Sequence, residues 1–122
     1  MDEKFSGLLG KTISSIDRHE DDELIFTLST GEKYRMYHDQ DCCESVLIED
    51  IAGDLDDLIG SEILMAEEAT NSEDPGDNIN GYIPDSFTWT FYKLATIKGY
   101  VTIRWYGEGN GYYSESVDWD RI

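Results

Sequence analysis

Two stretches rich in aromatic and β-branched residues near the end of the chain constrain its fold more than any other feature. They cover residues 87–97 (FTWTFYKLATI) and 100–106 (YVTIRWY), and Lys98-Gly99 separates them. Alternating residues of these types are typical of β-strands, and a short turn that contains glycine joins two such strands into a hairpin. The pattern therefore predicts an antiparallel hairpin whose two-residue turn is Lys98-Gly99.

This turn also fixes the cross-strand register of the hairpin, because the side chains of a strand alternate between its two faces. The predicted pairs are Leu94 with Ile103, Tyr92 with Trp105, Thr96 with Val101, and Lys93 with Arg104. The last pair places two like charges opposite each other, so a carboxylate is expected nearby. Residues 112–119 (YYSESVDW) follow a glycine-rich loop and are predicted to add a third antiparallel strand.

The rest of the chain is dominated by shorter strand patterns. Strands are predicted over residues 11–17, 24–29, 33–38, 45–51 and 61–69, and the second and third of these form a hairpin. Residues 54–59 predict one short helix, because Asp54 can cap its first turn and Gly60 can end it. Residues 70–86 are polar and predict a long loop. We therefore expect a single domain over residues 1–122 of the α+β class, mainly an antiparallel twisted sheet or partly closed barrel with one short helix.

The distribution of charge restricts the ligands that the chain can bind. It has 27 acidic residues against 9 Lys and Arg, a net charge of −18. Between Arg35 and Lys93 there is no Lys or Arg, whereas 15 carboxylates occur there. Such a segment repels nucleic acid and anionic membranes, and it attracts cations or a basic protein surface. No apolar stretch reaches the roughly 18–20 residues of a membrane span, and the acidic N-terminus lacks a signal region, so a cytoplasmic protein is expected.

Residues 37–44 (YHDQDCCE) concentrate side chains that could bind a metal ion. Histidine and cysteine suit zinc, but structural zinc sites usually take two separated ligand pairs, and the only other histidine is His19. The adjacent cysteines Cys42 and Cys43 could bridge only with strained backbone geometry, so we expect reduced thiols and a reducing compartment. No complete catalytic motif occurs in the chain. We therefore expect a protein that is not an enzyme, with no catalytic residue, no metal and no cofactor.

Two motifs give the chain a recognisable family pattern. They are residues 37–46 (YHDQDCCESV) and residues 92–108 (YKLATIKGYVTIRWYGE). With the intervening sequence they resemble a family of small acidic proteins of phages and bacteria that is known only as a domain of unknown function. The resemblance covers residues 9–117, with Gly109 where the family pattern suggests serine. It implies no activity, but it implies a phage or prophage setting, in which small proteins often act by binding host machinery.

From the charge and the resemblance we expect a non-enzymatic, acidic interaction protein that binds a basic, nucleic-acid-binding surface of a host protein. A defence nuclease such as a CRISPR effector or a restriction enzyme presents such a surface. Acidity that serves only solubility also explains the composition. Two alternatives stay open: a metal-binding or small enzymatic module centred on His38, Cys42 and Cys43, and a subunit that oligomerises through its aromatic sheet. The expected partner contacts are Asp39, Asp41, Glu44, Glu49, Asp50, Asp54, Asp56, Asp57, Glu67, Glu68, Glu73 and Asp74.

Overall fold

The computed structural model of the chain describes residues 4–40, 43–71, 86–109 and 114–122. In these ranges the chain forms eight β-strands and two short 3₁₀ helices. The strands are β1 (Ile13–His19), β2 (Glu23–Leu28), β3 (Lys33–Tyr37), β4 (Ser45–Ala52), β5 (Met65–Asn71), β6 (Ser86–Thr96), β7 (Gly99–Gly109) and β8 (Asp118–Arg121). The 3₁₀ helices are η1 (Phe5–Leu8) and η2 (Leu55–Leu58).

The strands form two open, four-stranded sheets. The first sheet has the order β1-β2-β3-β8, and the second has the order β4-β7-β6-β5. All the strand pairings within them are antiparallel. The described ranges contain no α-helix and no closed barrel. The expected α+β class is therefore wrong, and the fold is all-β.

The predicted helix at residues 54–59 is present only as the single 3₁₀ turn of η2. Asp54 caps it as expected, since its Oδ1 accepts a hydrogen bond from the Asp56 N–H at 3.0 Å. Gly53 and Gly60 adopt left-handed conformations on either side, with φ of 107° and 83°. So short a segment cannot offset the cost of nucleating an α-helix. It is held instead by Leu58, which is fully buried.

The buried apolar side chains form one cluster to which both sheets contribute. Alternate residues of β2 and β7 point into it. Trp105 of the second sheet donates its Nε1–H to the sulfur of Met36 in the first sheet at 3.2 Å. Phe5 of η1 packs edge-on against Tyr92 and Trp119, with ring centroids 4.7 and 5.1 Å apart. The core therefore lies between the two sheets, and η1 contributes to it.

The β6–β7 hairpin is confirmed, but its predicted register is wrong by two residues. The turn is Ile97-Lys98, and the observed pairs include Leu94 with Val101, Tyr92 with Ile103, Thr90 with Trp105, and Thr96 with Gly99. A shift of two residues keeps each side chain on its face, so the side chains predicted to share a face still do. Lys93 lies opposite Thr102, and Arg104 lies opposite Phe91, so the expected like-charge pair does not form.

Contacts with η2 determine where this turn lies. Thr96 Oγ1 donates a hydrogen bond to the Asp57 carbonyl oxygen, and Lys98 Nζ donates one to the Ile59 carbonyl oxygen at 2.7 Å. A Cβ at Gly99 would lie 2.7 Å from Asp57 Oδ2. Gly99 therefore makes room for the Asp57 carboxylate of η2, which a larger residue at this position would displace.

The last strand also differs from its prediction. β8 begins only at Asp118 and pairs with β3 in the first sheet, not with β7. The reason is the burial of Trp119, which stacks on Tyr34 at 5.2 Å and meets Phe26 edge-on at 5.3 Å. The β2–β3 hairpin and the strands β1, β4 and β5 are confirmed with shifted ends. Most of the predicted loop at residues 70–86 lies outside the described residues.

Candidate functional site

A buried polar network joins the end of β3, the start of β4 and the segment before β8. His38 Nε2 lies 2.8 Å from Glu44 Oε2, and these side chains are only 4% and 1% exposed. His38 Nδ1 lies 2.7 Å from the Ser116 carbonyl oxygen. Gln40 Nε2 donates a hydrogen bond to Glu44 Oε1 at 3.1 Å. The network therefore joins the end of β3 and the start of β4 to Ser116, which is far from both in the sequence.

Both ring nitrogens of His38 face acceptors, which determines where its protons lie. A carbonyl oxygen cannot donate, so Nδ1 carries a proton directed at Ser116, and Nε2 donates to Glu44 when the imidazole is protonated on both nitrogens. Burial lowers the pKa of His38, but the hydrogen bonds to Ser116 and Glu44 and the charges of Glu44 and Asp118 outweigh burial and raise the pKa overall. Neither nitrogen is left to bind a metal or to accept a proton from a substrate.

A second buried carboxylate, Glu115, lies beside this network. It is 6% exposed, and its Oε1 accepts a hydrogen bond from Thr88 Oγ1 at 3.0 Å. Two glycines of β7 make room for it. A Cβ at Gly107 would lie 2.9 Å from Glu115 Cβ, and a Cβ at Gly109 would lie 3.5 Å from Glu115 Oε2. The same Cβ at Gly109 would lie 3.2 Å from Glu44 Cβ, so both buried carboxylates pack against this end of β7.

An open groove of about 690 Å³ runs between β5 and β8, which are edge strands of the two sheets. Phe5 and Trp119 line it but are almost fully buried, at 3% and 8% exposed, and Lys4 also lines it. Its four carboxylates are Glu67 and Glu68 from β5 and Asp118 and Asp120 from β8. Acidic residues are therefore the largest group in the lining of the groove.

A smaller cavity of about 240 Å³ shares Glu68 and Val117 with this groove. It contains Glu115, and its remaining lining residues are Thr70, Thr88, Thr90, Ser114 and Ser116. The groove and this cavity together are called the β5–β8 seam. The seam is lined mainly by carboxylates and hydroxyl groups, with aromatic rings at the groove end.

Three buried polar atoms have no hydrogen-bond partner within the described part of the chain, and two of them belong to residues that line the seam. They are Tyr92 Oη, Glu115 Oε2 and Trp119 Nε1. Burial and the nearby charges of Glu68 and Asp118 raise the pKa of the Tyr92 hydroxyl. Burial also raises the pKa of the Glu68 carboxyl, although the residue as a whole is exposed. Leaving buried polar atoms without a hydrogen-bond partner lowers the stability of the fold.

Comparison with protein-family models places residues 6–119 in a family described as a domain of unknown function, DUF7448. The chain belongs to this family. No curated protein and no solved structure matched it. The resemblance found in the sequence is thus confirmed at the level of the family. The family description assigns no activity.

The carboxylates expected to contact a partner do not share one surface of this DUF7448 chain. Glu49 and Asp50 lie on β4, whereas Glu67 and Glu68 lie on β5, and β4 and β5 are opposite edges of the second sheet. Three strand spacings separate these edges, about 14 Å. Asp54, Asp56 and Asp57 lie at η2.

The burial of the expected contact residues also varies. Those exposed are Asp39, Glu49, Asp50, Asp54, Asp56, Glu67 and Glu68, and Asp57 is half-buried. Glu44 is buried in the network with His38. Asp41, Glu73 and Asp74 lie outside the described residues.

The segment between Arg35 and Lys93, which contains no Lys or Arg, is called the lysine-free segment. Arg104 of β7 supplies a positive charge to it. It pairs with Glu49 and lies 3.9 Å from Asp50. Its guanidinium also lies 5.4 Å from the ring centroid of Trp89, which contacts Tyr106 at 4.5 Å on the outer face of the second sheet. The β4 edge is therefore partly neutralised, whereas Glu67 and Glu68 have no ion pair among the described residues.

Cys43 is disulfide-bonded, and its partner lies outside the described residues. The expectation of reduced thiols, which rested on the strain between adjacent cysteines, is therefore wrong at Cys43. A disulfide sulfur is not a thiolate, so it is neither a nucleophile nor a good metal ligand.

Within the described ranges, no three His, Cys, Asp or Glu side chains are grouped so as to hold a metal ion. The same ranges contain no helix that is long and apolar enough to cross a bilayer.

The sequence interpretation missed Glu115 and Trp119, because it assigned both to a strand beside β7. One signal could have indicated Glu115. Gly107 and Gly109 occupy alternate positions on the inward face of β7, after Trp105, where bulky apolar residues are expected. Alternating glycines on a buried face indicate that side chains from another segment approach the backbone closely.

Proposed function

We propose that this DUF7448 chain is a non-enzymatic, acidic interaction protein of phage or prophage origin that binds a basic, nucleic-acid-binding surface of a host protein. In its sharpest form the proposal is inhibition of a defence nuclease, such as a CRISPR effector or a restriction enzyme. The observation that supports it most is a set of exposed carboxylates without an ion pair among the described residues, namely Asp39, Asp54, Asp56, Glu67 and Glu68.

A nucleic-acid-binding groove needs a dense positive charge. Duplex DNA carries about one negative charge per 1.7 Å of its axis, and proteins that bind it present many Lys and Arg side chains. A folded domain with a net charge of −18 and exposed carboxylates competes for the same cations. Such attraction accelerates association and weakens as salt shortens the Debye length from about 10 Å at 0.1 M to about 3 Å at 1 M.

A metal-binding or small enzymatic module centred on His38, Cys42 and Cys43 has less support. Both nitrogens of His38 are engaged by Ser116 and Glu44, and Cys43 is in a disulfide. Acidity that serves only solubility predicts no specific partner, and the binding experiment below tests it directly.

The experiment begins with capture of partners from a bacterial lysate on the immobilised chain at low salt. Each captured protein is then purified, and its dissociation constant is measured at about 50 mM and about 500 mM salt. The proposal expects at least one partner that binds far more weakly at high salt and that duplex DNA displaces from the chain. Partners that DNA does not displace, or affinities that salt leaves unchanged, would refute the proposal.

Variants identify which carboxylates matter. The double variant Asp54→Asn/Asp56→Asn removes two charges at η2, inside the lysine-free segment. The matched control, Asp17→Asn/Asp22→Asn, removes the same charge from exposed positions near the β1–β2 turn. The proposal expects the first variant to weaken binding more than the control does. Equal effects would show that only the net charge matters.

A further inference from the structure

We propose that a cavity beside η1 binds the phosphate group of a small ligand, either inorganic phosphate or a phosphate monoester. The cavity has a volume of about 290 Å³ and is lined by residues of η1, β3 and β8 and by residues next to them. It is called the basic cavity. The inference goes beyond the proposed function, because it concerns a cationic site and does not depend on the exposed carboxylates.

The basic cavity concentrates positive charge on a chain that is otherwise strongly acidic. Of the nine Lys and Arg residues of the chain, three line it, namely Lys4, Lys11 and Arg121. Glu32 is the one carboxylate among its described lining residues. The surplus of two positive charges matches a phosphate monoester, which carries a charge of roughly −1.5 to −2 at pH 7.

Backbone contacts and burial fix the positions of these cations. Leu8 anchors η1 in the core at 1% exposed, and its carbonyl oxygen accepts a hydrogen bond from the Lys11 N–H at 3.0 Å. Arg121 of β8 lies opposite Tyr34 of β3 in the first sheet. Segments that are distant in the sequence therefore bring their cations to one cavity.

Glu32 reports how closely the cations of the basic cavity converge. Its Oε2 accepts a hydrogen bond from Tyr34 Oη at 3.1 Å and its Oε1 accepts one from Thr30 Oγ1 at 3.1 Å, while Arg121 Nη1 lies 3.8 Å from Oε2. These two hydrogen bonds lower the pKa of the Glu32 carboxyl most, and the charges of Lys11 and Arg121 lower it further. Lys11 and Arg121 therefore act on the same point, where one carboxylate is too little to balance them.

Two of the cations are available to a ligand. Lys4 and Lys11 have no ion pair among the described residues. Lys4 also lines the acidic groove, whereas Lys11 and Arg121 do not. Lysine binds phosphate as a point charge and arginine binds it through paired N–H groups, so the cavity offers both kinds of contact. A single carboxylate group carries one charge and would match the surplus less well.

The test uses sodium phosphate as a defined probe. The intact chain is titrated with it at constant ionic strength, with chloride replaced step by step, and backbone amide signals are followed by NMR. We expect saturable shifts at Gly7, Lys11 and Arg121, and an unchanged indole N–H signal for Trp89 on the outer face of the second sheet. A parallel titration with glycerol 3-phosphate separates the two sources of the phosphate group, because tighter binding of this compound assigns a monoester and equal or weaker binding assigns inorganic phosphate.

Substitutions locate the phosphate site. Lys11→Gln and Arg121→Gln should each weaken the affinity for phosphate by about five-fold or more, because each removes a charge-assisted contact. The matched control is Lys93→Gln, which removes the same charge from the outer face of the second sheet and should change the affinity by less than about two-fold. Lys11 makes no ion pair among the described residues, so its variant tests the site even if Arg121→Gln unfolds the chain.

Four results would overturn the inference. They are an absence of saturable shifts with either phosphate compound, shifts that leave Gly7, Lys11 and Arg121 unchanged, equal weakening by Lys11→Gln and its control, or tighter binding of acetate than of phosphate. Affinity for the partners captured from the lysate is measured separately, so the two proposals can fail independently.

Discussion

His38 Nε2 lies 2.8 Å from Glu44 Oε2, both side chains are buried, and the protonated imidazole donates a hydrogen bond to the carboxylate. The imidazole also reaches the carbonyl oxygen of Ser116, so one side chain joins the end of β3 to the segment that leads into β8. This contact stabilises the region next to Glu115 and the seam. The stability of the fold should therefore depend on the protonation state of His38.

The first prediction concerns pH. The folded state raises the pKa of His38 above its ordinary value of 6.5. Protonation of His38 therefore stabilises the fold fully below about pH 6.5, and this contribution is lost as the pH rises through the folded pKa. We expect the difference in unfolding free energy between the native chain and His38→Gln to shrink between about pH 6 and about pH 9, as measured by urea titration. A difference that is constant across this range would contradict the prediction.

The second prediction separates a buried carboxylate from an exposed one. At about pH 6, below the ordinary pKa of histidine, Glu44→Ala leaves a buried imidazolium without its counter-charge and should cost about 3–5 kcal/mol of unfolding free energy. Its control is Glu49→Ala on the same strand, which removes an exposed ion pair with Arg104 and should cost less than about 1 kcal/mol. Chemical denaturation of both variants at one pH provides the measurement. Similar costs for the two would show that the His38–Glu44 contact is not stabilising.

The third prediction concerns the core. Trp105 is completely buried and contacts Met36 in the other sheet, so Trp105→Ala should cost about 3–5 kcal/mol. Trp89 of the neighbouring strand is half-buried on the outer face, and Trp89→Ala should cost clearly less. Thermal and urea unfolding of both variants test this ranking. A cost under about 1 kcal/mol for Trp105→Ala would mean that the two sheets do not pack as described.

The fourth prediction concerns the room that glycine makes for Glu115. A Cβ at Gly107 would lie 2.9 Å from Glu115 Cβ and 3.1 Å from its carbonyl oxygen, so Gly107→Ala should destabilise the fold by about 1–3 kcal/mol. At Gly7, by contrast, a Cβ would meet nothing within 4 Å. Gly7→Ala should therefore be close to neutral or slightly stabilising in the same denaturation assay. If Gly107→Ala were equally neutral, Glu115 would not pack against β7.

Local patterns in the sequence predicted most of the strands and the faces of the central hairpin. Alternation with period two places Tyr92, Leu94, Ile103 and Trp105 on one face whether or not the register is shifted by two residues, and all four are buried. Asp54 and Gly60 likewise marked the limits of η2, because capping and a left-handed stop depend on neighbouring residues only. The acidic composition, with a net charge of −18, is known from the sequence alone.

The tertiary structure decided every relationship between segments that are distant in the chain. The register of β6 and β7 depends on η2, and β8 joins the first sheet because Trp119 is buried against Tyr34 and Phe26. The lysine-free segment is divided between two sheet edges and receives Arg104 from β7. A sequence determines what each residue can do within its own strand or turn. Which strands become neighbours, and so which carboxylates meet at the β5–β8 seam, depends on how the whole core packs.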